Sequence, residues 1–502
     1  MTRAAVLLAI FAFITDAAAA PQGTLRLATP IVAPQLASPY PGLSLPSTIA
    51  TIPIFDPLLL IDANGKAQPW LAASWSTKDA RVWSITLRSG VVFSNGAPLT
   101  SKAIVESAAY LKTPKGMTST LGSSLANIER AVATGELTAD IYLKQPDPQF
   151  VQRMALWKIP EPAMWAATLD KDGDSKSVGT GAFMLASESP ARLVLTANPK
   201  AWNAPKVARL EIHVLAEQMS RMQAIAAGAI DVALQIGPGD REELNGIGGK
   251  ALDRLSSRIS YLSFAKEHVP QSPINDPKVR LAMNYAVNRQ AIADVILGGT
   301  VKPVGQLVLP GAPGYVADIK PYPYDPARAK ALLAEAGYTK GLKFTVRVSP
   351  SGADESTFYQ QIAQDLAAVG ITFTIIPAAM VEMTQMMWAG RFEAEMFANI
   401  GRGLDGLGDY RYRSCLGQTG IYKPYFCDPQ VLEFIKQAQA ATDITVVDAL
   451  LQKVTRLEYE NPPGIFLWQN SYLDGAGPRV DQTPDYNAYY DYLPLHLITV
   501  KK

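Results

Sequence analysis

The stretch Trp83-Ser-Ile-Thr-Leu-Arg-Ser-Gly-Val-Val-Phe-Ser-Asn-Gly-Ala-Pro-Leu-Thr-Ser-Lys-Ala-Ile-Val-Glu-Ser-Ala-Ala-Tyr-Leu111 decides the fold class. Apolar and polar residues alternate over 83–88, and Ser89-Gly90 follows, which predicts a strand and a turn. Residues 101–111 predict a helix whose N-cap is Thr100 or Ser101. A strand that leads through turns into a helix is typical of a mixed α and β protein.

The rest of the chain continues this alternation of short elements. Further strands are predicted over 192–196, 210–214, 231–234, 372–376 and 394–400. Helical patterns cover 218–227, 277–297, 326–336, 355–369 and a segment from 442 or 445 to 459. Asp276-Pro277 and Asp325-Pro326 each combine an N-cap with a proline at the first helical position. We therefore predict the α/β class.

Composition excludes several classes of protein. The chain has 502 residues, which favours about three domains. Its 46 basic and 45 acidic side chains leave a formal net charge of +1, whereas a nucleic-acid binder usually carries a basic excess. The 48% of hydrophobic residues argues against disorder. Three histidines and two cysteines provide few ligands for a zinc or iron–sulfur site, so we expect no metal and no cofactor.

The N-terminus has the pattern of a secretory signal peptide. A basic start, Met1-Thr-Arg3, precedes an apolar stretch over 4–14 and small residues up to Ala20. We predict a signal peptide over 1–19, with cleavage after Ala18 or Ala19; the alternative is a short buried helix. Because no cysteine lies near the cut, we expect no lipid anchor. The mature chain is thus predicted to be soluble and periplasmic.

Cys415 and Cys427 stand twelve residues apart in a segment rich in Gly and Tyr. In an oxidising compartment this spacing predicts a disulfide, which a chain-entropy estimate values at roughly 3 kcal/mol. Two free thiols are the alternative. A redox site would more typically use Cys-x-x-Cys.

No motif gives a positive sign of catalysis. Gly401-Arg-Gly-Leu-Asp-Gly406 matches G-x-G-x-x-G, but the residues after it do not suit the helix that a dinucleotide site needs, so a loop is the better interpretation. The polar run 170–174 lacks the spacing of a calcium loop. His213, His268 and His496 lie far apart, without an adjacent nucleophile motif. We therefore predict no catalytic residues.

Aromatic residues form four local clusters, which indicate either turn packing or the walls of a ligand cleft. These clusters are Tyr322-Pro-Tyr324, Tyr410-Arg-Tyr412, Tyr422 to Phe426 and Tyr486 to Tyr492.

Six strings, taken in order, resemble the family 5 extracellular solute-binding proteins, the oligopeptide- and dipeptide-binding type that serves ABC importers. The resemblance covers nearly all of the mature chain. The strings are Trp70-Leu-Ala-Ala-Ser-Trp75 with 83–100, Gly179-Thr-Gly-Ala-Phe-Met-Leu185, Ala197-Asn-Pro-Lys-Ala-Trp202, Ala227-Gly-Ala-Ile-Asp231, 276–289 and 324–337.

The resemblance implies a two-lobed periplasmic binding protein fold with a hinge, the first lobe being split into two subdomains. The core subdomain of the first lobe would comprise 20–50, 175–262 and 472–502, and its extra subdomain 51–174. The second lobe would comprise 263–471. The chain would cross between the lobes at about 258–268 and about 466–474, and ligand binding would close the hinge.

The resemblance also implies a ligand site. In this family an acid of the second lobe pairs with the amino terminus of an extended peptide. Here that place holds Phe397-Ala-Asn-Ile-Gly-Arg402, and the nearest acids are Asp405 and Asp409. If Arg402 faces the cleft instead, it favours a carboxylate or phosphate. The predicted ligand contacts are Asp405, Arg402, Asp409, Tyr410 and Trp388 in the second lobe, and Tyr40 and Thr29 in the first.

The implied function is that of a periplasmic receptor, not an enzyme. It would capture a peptide or similar small polar solute between its lobes and deliver it to the permease subunits of an ABC importer. We expect a monomer that binds no nucleic acid. The alternatives are a secreted hydrolase and a ligand-independent periplasmic partner or chaperone-like protein.

Overall fold

The structure is a computed structural model that describes residues 20–31, 40, 45–165, 177–349, 353–389, 394–404, 407, 410, 415 and 424–501. The predicted signal peptide and the polar run 170–174 lie outside the described residues.

The described part of the chain folds into short strands and helices. The strands are β1 Thr24–Thr29, β2 Leu59–Ile61, β3 Ala67–Pro69, β4 Ala72–Thr77, β5 Val82–Leu87, β6 Ile128–Ala133, β7 Thr138–Leu143, β8 Phe183–Ser189, β9 Arg192–Ala197, β10 Arg209–Val214, β11 Val232–Ile236, β12 Lys250–Phe264, β13 Lys302–Pro303, β14 Leu342–Val348, β15 Ile371–Pro377, β16 Met396–Arg402, β17 Gly464–Ala476, β18 Val480–Gln482 and β19 Thr499–Val500. The α-helices are Leu45–Thr51, Ser101–Leu111, Pro114–Met117, Thr120–Ser124, Phe150–Met154, Gln218–Ala226, Asp240–Gly246, Pro277–Ala286, Arg289–Ala291, Pro326–Glu335, Ala353–Ala367, Met380–Ala389, Pro429–Ala440 and Ile444–Glu460. No helix in these ranges combines the length and the apolar character that a membrane crossing requires.

One mixed sheet extends through both lobes of the described part of the chain. Its strand order is β15-β14-β16-β12-β17-β11-β1-β10-β9-β8, with β13 also paired to β17. We call the part that contains β1 to β11 the first lobe and the part that contains β13 to β16 the second lobe. Separate hydrophobic cores lie in each lobe. The two-lobed fold inferred from the sequence is thus present.

The long antiparallel strands β12 and β17, here called the crossing strands, connect the lobes. Their pairing is regular up to Leu255, opposite Ser471, and resumes at Ile259, opposite Gln469. The segment 256–258 of β12, between these two regular parts, is irregular. There the side chain of Gln469 replaces a backbone partner, since its Nε2 donates to the carbonyl oxygen of Ser256 at 3.0 Å. A bulge of this kind locally replaces the ladder and lets a strand bend. The irregular segment is therefore the place in the crossing strands where the regular pairing between the lobes is interrupted.

A second, four-stranded sheet enlarges the first lobe. Its order is β4-β5-β7-β6, and helix Ser101–Leu111 packs on it through one buried face. This sheet and its core lie within 51–174, the range of the predicted extra subdomain. The exact limits of the subdomains stay a prediction.

Most predicted elements are confirmed within a few residues. The strand over 83–88 is β5, Val82–Leu87, and the helix over 101–111 is Ser101–Leu111 with Thr100 as its N-cap. Both Asp-Pro helix starts are also confirmed, since the side chains of Asp276 and Asp325 cap their helices.

The single helix predicted from Pro277 to the glycines at 298–299 is wrong. The helix ends at Ala286, because Val287 adopts an extended backbone. Asn288 then starts a new turn by accepting a hydrogen bond from the backbone N–H of Ala291 at 3.1 Å. An asparagine side chain competes in this way with helical backbone bonding.

Candidate ligand-binding cleft

A cavity of about 940 Å³, a volume that includes space open to solvent, lies between the two lobes. We call it the cleft. It is bordered by the first lobe, by the irregular segment of β12 and by the end of β16. Its lining residues are Ile52, Pro57, Leu60, Ile61, Gln152, Arg153, Ala155, Leu156, Lys158, Ser257, Arg258, Arg402, Leu404, Tyr490, Asp491 and Tyr492.

Much of the cleft wall is apolar. Leu60 and Leu156 from the first lobe face the same space as Leu404 from the second, and Tyr490 and Tyr492 add two aromatic side chains. Ligand sites typically combine such apolar walls with a few polar groups that fix orientation. One of the four aromatic clusters, that of 486–492, therefore contributes to the cleft.

Arg402 and Arg258 stand side by side at one border of the cleft. Arg402 is the last residue of β16, and it is paired directly with Arg258 of β12. Residues that face each other across an antiparallel pair project to the same side of the sheet, with Cβ atoms about 5 Å apart. The fold thus places two guanidinium groups on neighbouring strands beside the same cavity.

Lys158 brings a third cation to the cleft from the first lobe. It forms an isolated bridge with Pro57, and its carbonyl oxygen accepts a hydrogen bond from the hydroxyl of Tyr40 at 2.7 Å. The residue is only 4% exposed. Burial, which disfavours the charged ammonium, lowers the pKa of Lys158 to about 8.

Arg153 and Asp491 complete the charged lining, and both have partners in the protein. Arg153 forms an ion pair with Asp147. Asp491 accepts hydrogen bonds from the hydroxyl groups of Ser256, at 2.9 Å, and of Ser257. The one lining carboxylate among the described residues is therefore engaged in holding the irregular segment of β12.

Of the predicted ligand contacts, the structure places Arg402 in the cleft. Tyr40 and Tyr410 lie in hydrophobic cores: the Tyr40 hydroxyl is bonded to Ser107, and Tyr410 is 1% exposed. Thr29 ends β1 with 2% exposure, and its hydroxyl donates to the carbonyl oxygen of Ile31 at 3.2 Å. In this conformation the structure does not present these three side chains to the cleft.

The other predicted contacts cannot be compared with the cleft. Asp405 and Asp409 lie outside the described residues. Trp388 belongs to helix Met380–Ala389, and its side chain also lies outside the described part. Their role in binding stays a prediction.

Sequence reasoning missed Lys158, Arg258 and Arg153. A signal for Lys158 existed, because it stands between Trp157 and Ile159, both fully buried. A lone lysine in an apolar run is a candidate for a functional site, since lysines are seldom buried without a partner. Arg258 had no comparable signal, since it lies in an irregular part of a strand.

The structure joins Cys415 to Cys427 in a disulfide, with Cα atoms 4.9 Å apart. The Cys427 end is fixed to the second lobe: its N–H donates to Glu267 Oε1 at 3.1 Å, and its carbonyl oxygen accepts from Lys266 Nζ at 3.0 Å.

Comparison with known proteins identifies the family. Residues 66–413 match the model of the bacterial extracellular solute-binding proteins, family 5. The chain belongs to this family. The resemblance inferred from six short strings is thereby confirmed.

Among the relatives of this family 5 protein are two curated bacterial proteins. The nickel-binding periplasmic protein of Escherichia coli K12 is 28% identical over 345 residues, which are 64% of this chain and 65% of the relative. The glutathione-binding protein GsiB of Salmonella paratyphi A is 28% identical over 341 residues, which are 66% of this chain and 65% of the relative. The match thus spans slightly less than two thirds of each relative.

A solved structure supports the family 5 fold over nearly the whole chain. NikA from Brucella suis, in complex with Fe(III)-EDTA, superposes with a TM-score of 0.80 at 22% identity. The superposition covers 96% of this chain and 100% of NikA. This likeness confirms the two-lobed periplasmic binding protein fold. Among the described residues, no group of three or more His, Cys, Asp or Glu side chains is placed to hold a metal ion.

Proposed function

We propose that this protein is the substrate-binding receptor of an ABC importer. It captures a peptide or similar small polar solute in the cleft and presents it to the permease subunits. The observation that carries this proposal is the cavity between two lobes that the crossing strands connect. Membership in a family of solute-binding proteins supports a receptor over an enzyme, and the relatives bind nickel and glutathione.

The receptor works by closing on its ligand. The irregular segment of β12 provides the flexing point, and a direct backbone contact shows how near the lobes come. The turn at Asn64-Gly65 in the first lobe meets Pro310-Gly311 in the second, so closely that a Cβ atom added at Gly65 would lie 3.0 Å from the Gly311 carbonyl carbon. A ligand that contacts both lobes stabilises the closed state, because it binds the closed state better than the open one.

The receptor acts in the periplasm. The basic, apolar and small-residue segments over 1–19 support export through a signal peptide. The pairing of Cys415 with Cys427 supports an oxidising compartment. The curated nickel-binding relative is periplasmic by name.

The test is native mass spectrometry of the protein purified from a periplasmic extract, compared with a spectrum of the denatured protein. We expect the native mass to exceed the denatured mass by that of one small solute. Solution scattering should then show a smaller radius of gyration with this solute than after its removal by partial unfolding and refolding. An empty protein whose radius no peptide or small-solute panel changes would refute the receptor function.

A further inference from the structure

Apolar surface from both lobes borders the cleft. Leu60 and Leu156 come from the first lobe and Leu404 from the second, and the aromatic side chains of Tyr490 and Tyr492 also belong to the lining. Leu156 and Leu404 are partly exposed in the protein alone. Because apolar surface gains free energy when it leaves water, a ligand that covers both leucines binds more tightly if its covering part is apolar.

The charged residues of the lining interact within the protein. Arg153 forms an ion pair, and Asp491 accepts hydrogen bonds from two serine hydroxyl groups. Arg258 and Arg402 also interact with other groups of the protein. Lys158 is only 4% exposed, so it offers the cavity little surface. The chemistry of the ligand therefore depends on the uncharged groups of the lining.

Gln152 supplies an uncharged polar atom that still needs a partner. It lies in helix Phe150–Met154, four residues before Leu156, and both residues line the cleft. Its Oε1 is buried, and no group of the described residues donates a hydrogen bond to it. A buried acceptor without a donor destabilises a protein, and in a native protein a water molecule or a ligand usually supplies the missing donor. A solute in the cleft can supply it here.

We propose that the solute bound in this cleft carries an apolar side chain next to an N–H group, as a peptide or amide with a leucine-like residue does. The apolar side chain packs between Leu156 and Leu404, and the N–H group donates a hydrogen bond to Oε1 of Gln152. Because Gln152 and Leu156 are four residues apart at the end of one helix, one short segment of the solute can reach both. This inference rests on the proposed receptor function and specifies the chemistry of the solute.

The N-acetyl amides of leucine, alanine, lysine and glutamate test this preference, because they share their N–H groups and differ only in the side chain. The intact purified protein is freed of co-purified solute, and calorimetry at pH 7 gives the dissociation constant of each probe. We expect the leucine probe to bind at least tenfold more tightly than the alanine probe, and the two charged probes to bind no better than the alanine probe. A charged probe that binds as tightly as the leucine probe overturns the apolar preference.

The variant Leu156→Ala tests the apolar contact. It should weaken binding of the leucine probe at least fivefold and leave the alanine probe unchanged, because only the longer side chain reaches the lost surface. Leu404→Ala repeats the test from the second lobe. The matched control Leu497→Ala changes a leucine that is 42% exposed and lies outside the described lining, and it should alter neither probe. If both cleft variants bind the leucine probe as the unmodified protein does, the assigned contact is wrong.

The variant Gln152→Met tests the hydrogen bond, because it keeps the length of the side chain and removes the acceptor. It should weaken the leucine and alanine probes by the same factor, at least threefold, since both carry the same N–H groups. The matched control Gln437→Met changes an exposed glutamine of helix Pro429–Ala440 and should alter neither probe. Circular dichroism checks that each variant is folded. Unchanged binding of both probes to Gln152→Met would mean that only water bonds to this oxygen, and would overturn the hydrogen bond.

The identity of the solute that co-purifies separates this proposal from the receptor function. A solute with an apolar side chain and an N–H group supports both. A solute without an apolar group overturns this proposal and leaves the receptor function standing. A protein that carries no solute and binds none of the probes and no peptide refutes both.

Discussion

Arg254 of β12 and Asp474 of β17 form an ion pair between the crossing strands, with Nε and Oδ2 2.7 Å apart and side-chain exposures of 2% and 0%. Burial disfavours the charged Arg254, but attraction to Asp474 outweighs it and raises the pKa of Arg254. Asp474 also accepts a hydrogen bond of 2.9 Å from the backbone N–H of Gln235. Gln235 has a positive φ of 55°. One carboxylate thus joins both crossing strands to β11.

Replacing Asp474 by Asn should strongly destabilise the first lobe. The change leaves the guanidinium of Arg254 buried without a counter-charge, which costs about 3–5 kcal/mol of unfolding free energy. Urea unfolding followed by circular dichroism measures the loss. The matched control is Asp318→Asn, which breaks the exposed pair of Arg456 with Asp318 and should leave the midpoint unchanged. If the two substitutions lowered the urea midpoint equally, burial of the Arg254–Asp474 pair would not be the reason for its contribution to stability.

Gly311→Ala should weaken ligand binding at least tenfold without touching the ligand. The added Cβ would overlap the carbonyl oxygen of Asn64, and backbone atoms cannot yield as a flexible side chain can. The two lobes would therefore be held apart, and the closed state would become less stable. Stopped-flow or calorimetric binding of the co-purified solute measures the effect.

The control for this prediction is Gly337→Ala. Its φ of +86° is close to the +85° of Gly311, so the backbone strain of an alanine is the same, yet no atom lies within 4 Å of the added Cβ. If both alanine variants bind the solute as the unmodified protein does, the turn at Asn64-Gly65 does not limit closure.

Three of the six strings that revealed the family each supply a hydrogen-bond donor to one buried carboxylate, that of Asp56. Asp56 accepts hydrogen bonds from Trp70 Nε1 at 2.7 Å, Thr180 Oγ1 at 2.8 Å and Trp202 Nε1 at 3.0 Å. Burial raises the pKa of Asp56, and these donors oppose the rise. The order of the strings was visible in the sequence. Their common contact with Asp56 was not visible in the sequence, because Asp56 and Trp202 are 146 residues apart and no local pattern connects them.

Local sequence patterns predicted the helices and strands better than they predicted the residues of the cleft. Asp-Pro marked two helix starts correctly, and the same signal at Asp428-Pro429 opens helix Pro429–Ala440, which the sequence interpretation did not identify. Tyr40 and Tyr410 were expected to contact ligand but lie in cores, since a single aromatic residue outside a periodic pattern does not show whether it is buried or exposed. The cleft itself depends on residues brought together over long sequence distances, as Arg258 and Arg402 are in the β12–β16 pairing.

Removing the disulfide should cost about 3 kcal/mol of unfolding free energy, the chain-entropy value for a loop of this length. The double variant Cys415→Ser with Cys427→Ser tests this by urea unfolding without reductant. Because Lys266 and Glu267 still hold the backbone of residue 427, the second lobe should keep its circular dichroism spectrum. Identical midpoints for the variant and the oxidised protein would show that the loop is constrained by other contacts.

The unliganded protein should become more stable as the pH rises from about 8 towards 10. The pKa of Lys158 is lowered by burial to about 8, whereas the unfolded chain restores the ordinary value of 10.5. Between these values the unfolded state binds more protons than the folded state, so the free energy of unfolding rises with pH. Lys158→Met should lose this rise, and the difference between the two proteins in urea midpoints from pH 7 to 10 measures it.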